Sequence, residues 1–239
     1  MKNFEELFIF ESTVKDGNMS YKYDNECEVS KNIASFFYNI GLSNKKIYRL
    51  SIDNKDIISE LTKHKNDNFV NADAVIIKDH NIFVYLSFGD CIPMVVYDPT
   101  KGVIGFAHLG WQSICLKLHN KLLLEMCLKH KSQIKDLYVY LGPSISYESY
   151  AFHNPAQLTM KEWEFFIKKN HDTGMYNIDL VGFVCNDILS LGILDTKITK
   201  SEVDTATDPN YFSHYSCMRD NKIKEGRFIF GVGMKSKMT

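Results

Sequence analysis

The sequence predicts an α+β fold in which mixed β-sheets are layered with helices. Short runs rich in Val, Ile, Tyr or Phe outnumber the helical segments, and they come in clusters rather than in regular alternation with helices. The 239 residues, of which 45% are hydrophobic, include 16 Phe and 13 Tyr and supply ample apolar area for a core. No repeat, low-complexity tract or flexible linker marks a boundary, so we expect residues 1–239 to form a single domain.

Nine short runs have the composition of β-strands. They cover residues 7–10, 47–52, 74–78, 82–88, 94–97, 103–108, 137–141, 198–203 and 227–232. After Trp111, the residues Leu118, Leu122 and Met126 recur at a spacing of four, which predicts an amphipathic helix packed on a sheet. Residues that favour helix starts and ends predict further helices at 28–40, from 154 to about 169, and from 179 to about 192.

Charge and composition exclude several classes of function. The 28 Lys and Arg balance 29 Asp and Glu, and a net charge of −1 provides no field to gather nucleic acid or an anionic membrane surface. No run approaches the roughly 18 apolar residues of a membrane span, and Glu5 and Glu6 lie where a signal peptide needs apolar residues. We therefore expect a cytoplasmic protein whose six cysteines, none of them in a CxxC pair, are reduced thiols.

The most informative stretch is a predicted antiparallel hairpin. The turn sequence 98–102 contains a proline that presets the first corner and a glycine that accepts a positive φ, so the flanking runs pair about a centre near Thr100. This pairing sets Cys91 opposite Leu109 and places His108 one position away. Directly opposed Cβ atoms are about 5 Å apart and diagonal ones about 7–8 Å apart, so a small register shift brings the thiol and the imidazole within reach of each other.

A cysteine beside a histidine at a strand end has two chemical uses. The arrangement lowers the pKa of a thiol and makes thiolate at neutral pH, and the same two side chains are zinc-type ligands. The hairpin alone leaves open the alternative that Cys91 is a small buried hydrophobe and His108 a hydrogen-bonded core histidine. Gly89 and Gly110 leave backbone accessible at both strand ends and favour a pocket, in which Trp111 is either a stacking face or part of the core.

Several motifs occur in the order of a known family. They are Gly17-Asn18-Met19-Ser20, Asp73-Ala74, Gly89-Asp90-Cys91-Ile92-Pro93, His108-Leu109-Gly110-Trp111-Gln112, Gly142-Pro143-Ser144-Ile145 followed by Tyr147-Glu148, Asp208-Pro209-Asn210-Tyr211-Phe212-Ser213, and Gly226-Arg227. In these motifs, over nearly the whole chain, the sequence resembles the YfiH-like family, also called the multicopper polyphenol oxidase or laccase-domain family.

The resemblance implies a purine nucleoside phosphorylase that acts on adenosine, guanosine, inosine and methylthioadenosine, with adenosine deamination as a related activity. It implies a purine nucleoside and phosphate as partners, and a monomer or a homodimer. The fold type it implies is also that of glutamine-deamidating bacterial toxin domains of the cysteine hydrolase type.

Roles for individual residues follow from the same resemblance. Cys91 and His108 are the expected catalytic pair, with Asp90 orienting His108. The expected substrate-binding residues are Ser20, Trp111, Gln112, Phe212 and Arg227. Arg227 either holds phosphate or pairs with a carboxylate. Gln112 and Tyr215 stand where the family has arginine, so few positively charged side chains are expected to bind phosphate. Arg219 aligns with the second of these family arginines after a short insertion.

The resemblance also implies a metal site. Asp53 stands where the family has its first metal-site histidine, so the implied ligands are Asp53, Cys91 and His108, which would leave an open fourth position on zinc. Copper is disfavoured because this set includes a hard oxygen ligand. An empty metal site is the alternative.

Two other functions stay open. One is a metal-free cysteine hydrolase or deamidase in which Cys91 is the nucleophile. The other is a nucleoside-binding protein with a degenerate metal site and no turnover, which the departures at Asp53 and Gln112 suggest. Labelling of Cys91 by an amide-directed electrophile, blocked by zinc, would favour the hydrolase. Adenosine binding in calorimetry with no ribose 1-phosphate formed would favour the binding protein.

Overall fold

The structure, a computed structural model, describes residues 2–61, 68–220 and 223–235. Within these residues, two large sheets are stacked face to face, with helices on both outer sides. The first sheet has the order β1-β14-β6-β2-β4. Its strands are β1 (Leu7–Glu11), β2 (Lys46–Ser51), β4 (Phe69–Asn71), β6 (Ile82–Phe88) and β14 (Phe228–Met234).

The second sheet has six strands among the described residues, in the order β13-β9-β7-β8-β5-β3. They are β3 (Ile58–Leu61), β5 (Ala74–Ile77), β7 (Ile92–Asp98), β8 (Val103–Leu109), β9 (Tyr138–Leu141) and β13 (Ile198–Lys200). A small third sheet joins β10 (Ala151–Phe152), β11 (Ile167–Lys169) and β12 (Tyr176–Ile178).

Five α-helices complete the described part of the chain. They are α1 (Glu26–Asn39), α2 (Trp111–Cys115), α3 (Leu118–His130), α4 (Leu180–Ser190) and α5 (His214–Arg219). Short 3-10 helices lie at Lys2–Phe4, Val14–Asp16, Ile134–Asp136, Ala156–Thr159, Lys161–Phe166 and Asp195–Lys197. None of the helices in the described ranges is long and apolar enough to cross a membrane.

Side-chain alternation along β7 explains the layers. Val95 and Tyr97 face the first sheet, whereas Met94 and Val96 face α3 and α4. Because both faces of this central strand are covered, it reads as a nearly continuous apolar run. α1 covers the outer face of the first sheet, so the order of layers is helix, sheet, sheet, helices. The prediction of an α+β fold with mixed sheets and helices is confirmed.

The predicted hairpin forms, with its register displaced by one residue. Ile92 pairs with Leu109 and Pro93 pairs with His108, because the turn occupies residues 99–102. Cys91 therefore lies just before the first paired residue of β7, and its predicted place opposite Leu109 is wrong by one position.

The helix predicted from residue 154 to about 169 is wrong. Two 3-10 helices and strand β11 occupy this stretch. Trp163 stacks on Phe183 of α4 at a centroid distance of 3.9 Å, and β11 pairs with β12. These contacts with distant segments override the helical start signal at Asn154. The helix predicted after Trp111 forms in two pieces, because Lys117 adopts a positive φ of 58° between α2 and α3.

Candidate active site

The end of the β7–β8 hairpin brings Cys91 and His108 together. A Cβ atom built on Gly110 would lie 3.3 Å from Cys91 Sγ and 3.3 Å from His108 Cε1, so these two atoms lie within twice that distance of each other. The same point is 3.8 Å from Asn54 Oδ1. Any side chain at position 110 would fill the space between the thiol and the imidazole. Glycine keeps that space open.

Burial controls the protonation of both groups. It raises the pKa of the Cys91 thiol to about 12, and the nearby charge of Asp90 acts in the same direction. Burial also lowers the pKa of His108 to about 4, assisted by the positive charge of Arg227. The expected lowering of the thiol pKa is therefore wrong. His108 is neutral at pH 7 and cannot offset the cost of desolvating a thiolate.

His108 is held by packing and by its backbone. Its side chain is buried among aromatic rings, with the Phe88 ring centroid 5.4 Å away, and its backbone N–H donates to the Asp73 carbonyl. Its Nδ1 atom is buried and has no hydrogen-bond partner within the described ranges. The prediction that Asp90 orients this imidazole is wrong, because the Asp90 carboxylate is engaged elsewhere.

Asp90 ties two distant segments to the residue that precedes Cys91. Its carboxylate accepts hydrogen bonds from Thr205 Oγ1 at 2.8 Å and from the backbone N–H of Tyr215 at 2.6 Å. Its carbonyl accepts from the N–H of Ile145 at 3.0 Å. Asp90 has a φ of 85°, a conformation that non-glycine residues rarely adopt. These hydrogen bonds hold Asp90 in this conformation and thereby fix the backbone position of Cys91.

Arg227 lies beside the site and is paired with a carboxylate. A Cβ atom built on Gly89, two residues before Cys91, would lie 2.9 Å from Arg227 Cδ. Its Nη2 donates to Glu225 at 3.2 Å and to the Tyr23 hydroxyl at 2.9 Å, and its guanidinium lies over the Tyr23 ring at 4.3 Å. The structure thus shows the carboxylate pair, one of the two roles that the sequence left open for Arg227, and the phosphate-binding role stays a prediction.

The other expected substrate-binding residues are dispersed around this centre. Ser20 is buried in a loop that docks on the Arg227 backbone, with the Met19 N–H donating to the Arg227 carbonyl. Phe212 is buried and lines a cavity of about 550 Å³, whose lining includes neither Cys91 nor His108. Trp111 and Gln112 are exposed at the start of α2.

The implied zinc ligands do not fit a metal site. The Asp53 carboxylate pairs with Lys55 Nζ at 3.4 Å, and both side chains are 61% exposed. The backbone N–H groups of Asp53 and Ile57 donate to the Asp73 carboxylate, which fixes this segment with the Asp53 side chain turned to solvent. In the described ranges, no group of three His, Cys, Asp or Glu side chains is placed to hold a metal. The predicted set of Asp53, Cys91 and His108 is therefore corrected to a Cys–His pair.

One residue near the pair was missed. Tyr150 is half-buried, and the charges of Cys91 and Asp90 contribute to the raised pKa of its phenol after burial, the main cause. The family motif in this region ends at Tyr147-Glu148, two residues before Tyr150, and no local signal in the sequence marks Tyr150.

Comparisons with known proteins agree on one family. The family described as "Multi-copper polyphenol oxidoreductase laccase" matches residues 10–235. "Purine nucleoside phosphorylase YlmD" of Bacillus subtilis is 28% identical over 167 residues, which are 69% of this chain and 59% of that protein. "Purine nucleoside phosphorylase" of Bacteroides thetaiotaomicron is 25% identical over 181 residues, 73% of this chain and 65% of that protein. The chain thus spans less than two thirds of each of these relatives.

A further relative and two solved structures complete the comparison. "Adenosine deaminase RL5" from an unknown prokaryotic organism is 23% identical over 168 residues, 69% of this chain and 63% of that protein. The crystal structure of YlmD from Geobacillus stearothermophilus has a TM-score of 0.85 at 19% identity and covers 99% of this chain and 94% of its own. YfiH from Bacillus licheniformis has a TM-score of 0.83 at 20% identity, covering 98% and 95%. These two likenesses establish the fold.

Proposed function

The chain belongs to the multi-copper polyphenol oxidoreductase laccase family, and from that premise we propose that it is a purine nucleoside phosphorylase. The proposed substrates are phosphate with adenosine, guanosine, inosine or methylthioadenosine. Two relatives that carry the name purine nucleoside phosphorylase support this activity. The observation that carries the proposal is the uncharged Cys91–His108 pair facing one space that Gly110 keeps open.

In this reaction a phosphate oxygen forms a bond to C1′ of the ribose while the bond from C1′ to N9 of the purine breaks. The electron pair of the breaking bond leaves with the base, and the proton that the base gains equals the one that HPO₄²⁻ gives up. The transition state resembles an oxocarbenium ion, so the protein must place an anion and support the leaving base. These tasks require orientation and hydrogen bonds, and no covalent bond to the protein forms.

The protonation states of the pair suit this chemistry. A neutral imidazole has one nitrogen that donates and one that accepts, so His108 can orient a ribose hydroxyl or a phosphate hydroxyl. The protonated Cys91 thiol adds a weak donor and brings no negative charge against the approaching phosphate. Arg227 is a source of positive charge next to the pair. Because the metal-ligand set does not fit, zinc has no part in this proposal.

A cysteine nucleophile is disfavoured by the same data. Because burial raises the pKa of the Cys91 thiol, the thiolate is a minor species at pH 7. The hydrolase alternative needs the thiolate as its attacking group.

Adenosine deamination is the second candidate, because one relative is named an adenosine deaminase. It replaces the 6-amino group by oxygen from water and leaves the C1′–N9 bond intact. The two candidates therefore give different products from adenosine, namely adenine with ribose 1-phosphate or inosine with ammonia.

The test is incubation of the purified protein with inosine and phosphate, followed by chromatography of the bases and assay of ribose 1-phosphate. We expect phosphate-dependent formation of both products, and a loss of about 100-fold or more in kcat/KM in His108→Gln. Cys91→Ser should also lower kcat/KM, and Cys115→Ser, which alters another half-buried cysteine, is its matched control and should not. Binding of inosine in calorimetry with no phosphate-dependent product would contradict the proposal and favour a nucleoside-binding protein without turnover.

A further inference from the structure

The Tyr150 side chain is rigidly held at the edge of the candidate site. Its backbone N–H donates to the Ser146 carbonyl at 3.0 Å, and its carbonyl accepts from the Ile178 N–H at 3.0 Å. Its ring packs edge-on against Phe152 at a centroid distance of 4.9 Å, and it lies tilted against Tyr215 at 5.8 Å. Contacts on two sides and a fixed backbone leave the phenol little freedom.

The segments around Tyr150 are anchored to the residue that precedes Cys91. Asp90 accepts from the Ile145 N–H through its carbonyl and from the Tyr215 N–H through its carboxylate. Ile145 lies in the loop 142–150 that carries Tyr150, and Tyr215 supplies the ring on which Tyr150 packs. Tyr150 is thus joined to Asp90 from both sides. Burial, and after it the charges of Cys91 and Asp90, raises the pKa of its phenol, which is protonated at pH 7 in any case.

The Tyr150 hydroxyl is an unused hydrogen-bond donor. Although the residue is half-buried, this hydroxyl bonds to no residue in the described ranges. Other tyrosine hydroxyls near the same core are engaged, since Tyr215 donates to the Ala151 carbonyl and Tyr211 donates to Glu11. Buried polar groups normally find partners. Tyr150 Oη is not one of the fully buried unpartnered atoms of the described residues, so this fixed phenol is open to a solute and can donate to a ligand.

We propose that the Tyr150 hydroxyl donates a hydrogen bond to N7 of the purine as the base leaves. This inference rests on the proposed phosphorolysis. As the C1′–N9 bond breaks, its electron pair delocalises over the imidazole half of the purine, and negative charge develops at N7. The phenol keeps its proton throughout, and the base acquires its new proton from the attacking HPO₄²⁻. A preorganised donor of this kind stabilises the transition state more than the bound nucleoside.

The test compares two nucleosides in Tyr150→Phe. The base of inosine leaves as an anion, and a donor at N7 stabilises it. In 7-methylguanosine the imidazole ring of the base is positively charged and N7 has no lone pair, so this base leaves without a donor at N7. We expect Tyr150→Phe to lower kcat with inosine by about 10- to 100-fold and to change kcat with 7-methylguanosine by less than about 3-fold. Tyr38→Phe, the same chemical change at a tyrosine of α1 that is 74% exposed, should leave both unchanged.

The possible results separate this inference from the proposed function. An active parent protein whose Tyr150→Phe variant loses activity equally with both nucleosides would overturn the donor role and leave phosphorolysis standing. Full activity of the variant with inosine would do the same. A parent protein inactive with both nucleosides would overturn the proposed function, and the inference with it. Because Tyr150→Phe keeps the ring, its circular dichroism and melting temperature should match those of the parent.

Discussion

Among single residues, the reactivity of Cys91 depends on burial more than on its neighbours. Its thiol pKa of about 12 predicts slow alkylation by iodoacetamide at pH 7.5, because the thiolate is the reactive form. Cys27 is exposed and is an internal reference in the same molecule. We expect mass spectrometry of peptides to find Cys27 labelled at least about ten times faster than Cys91. Equal or faster labelling of Cys91 would revive the cysteine hydrolase interpretation.

The buried imidazole of His108 predicts a pH dependence of stability. Its pKa is about 4 in the folded protein and about 6.5 when unfolded, so between these values only the unfolded chain takes up the proton. The neutral His108 therefore contributes fully to the free energy of unfolding above pH 6.5. As the pH falls from 6.5 to 4, this contribution decreases by about 3 kcal/mol. His108→Gln removes this titration but keeps the other ionisable groups. Urea titrations should give a smaller fall in unfolding free energy for the variant; parallel curves would contradict the prediction.

The orientation of Asp53 predicts the metal content. Since its carboxylate pairs with Lys55 in solvent, protein purified without chelator should contain less than one zinc per chain. Elemental analysis of the parent, Cys91→Ser and Asp53→Asn measures this directly. One zinc per chain in the parent, lost in both variants, would restore the three-ligand site.

Among elements, the β7–β8 turn sets the distance between Cys91 and His108. Asp98 is buried, and its Oδ1 accepts from the N–H groups of Thr100 at 2.9 Å and Lys101 at 3.0 Å. Asp98→Ala leaves both donors without that partner and should lower the unfolding free energy by about 1–3 kcal/mol in urea titrations. Asp98→Asn retains an acceptor and should lose less. Equal losses in the two variants would mean that charge, rather than the hydrogen bonds, stabilises the turn.

The same elements explain which predictions the sequence permits. The hairpin is predictable because its turn residues and both strands lie within 20 positions of one another. The helix predicted from residue 154 fails because Trp163 stacks on Phe183. Strands as short as β10, β11 and β12 depend on their pairing with one another, which no single segment predicts.

For the candidate site, the sequence predicts that Cys91 and His108 lie close together, but it does not predict the partners of Asp90 or the pKa of Cys91. Cys91 and His108 meet through local pairing, which turn chemistry encodes. The partners of Asp90 lie 115 and 125 positions away along the chain, so nothing in its neighbourhood predicts that it binds Thr205 and Tyr215 instead of His108. Desolvation of the Cys91 thiol likewise depends on the folded core around it. The motif that contains Cys91 therefore does not predict that its pKa is raised.

In the whole molecule, the candidate site lies at the end of the core between the two sheets. The Phe88 ring centroid is 6.2 Å from those of Phe228 and Phe230 and 5.4 Å from that of His108. The apolar contacts that hold the sheets together therefore also desolvate the imidazole. Folding of the core and formation of the uncharged Cys–His pair are parts of one process.

The core between the sheets should consequently dominate stability. Phe230 is fully buried on β14, between β1 and β6, and its ring lies 6.2 Å from those of Phe88, Phe106 and Tyr140. Phe230→Ala should cost about 3–5 kcal/mol through lost burial and the cavity it leaves. Phe165→Ala, at a ring that is 90% exposed, should change stability by less than about 0.5 kcal/mol. Urea titrations measure both, and a small loss in Phe230→Ala would mean that the sheets are held together mainly elsewhere.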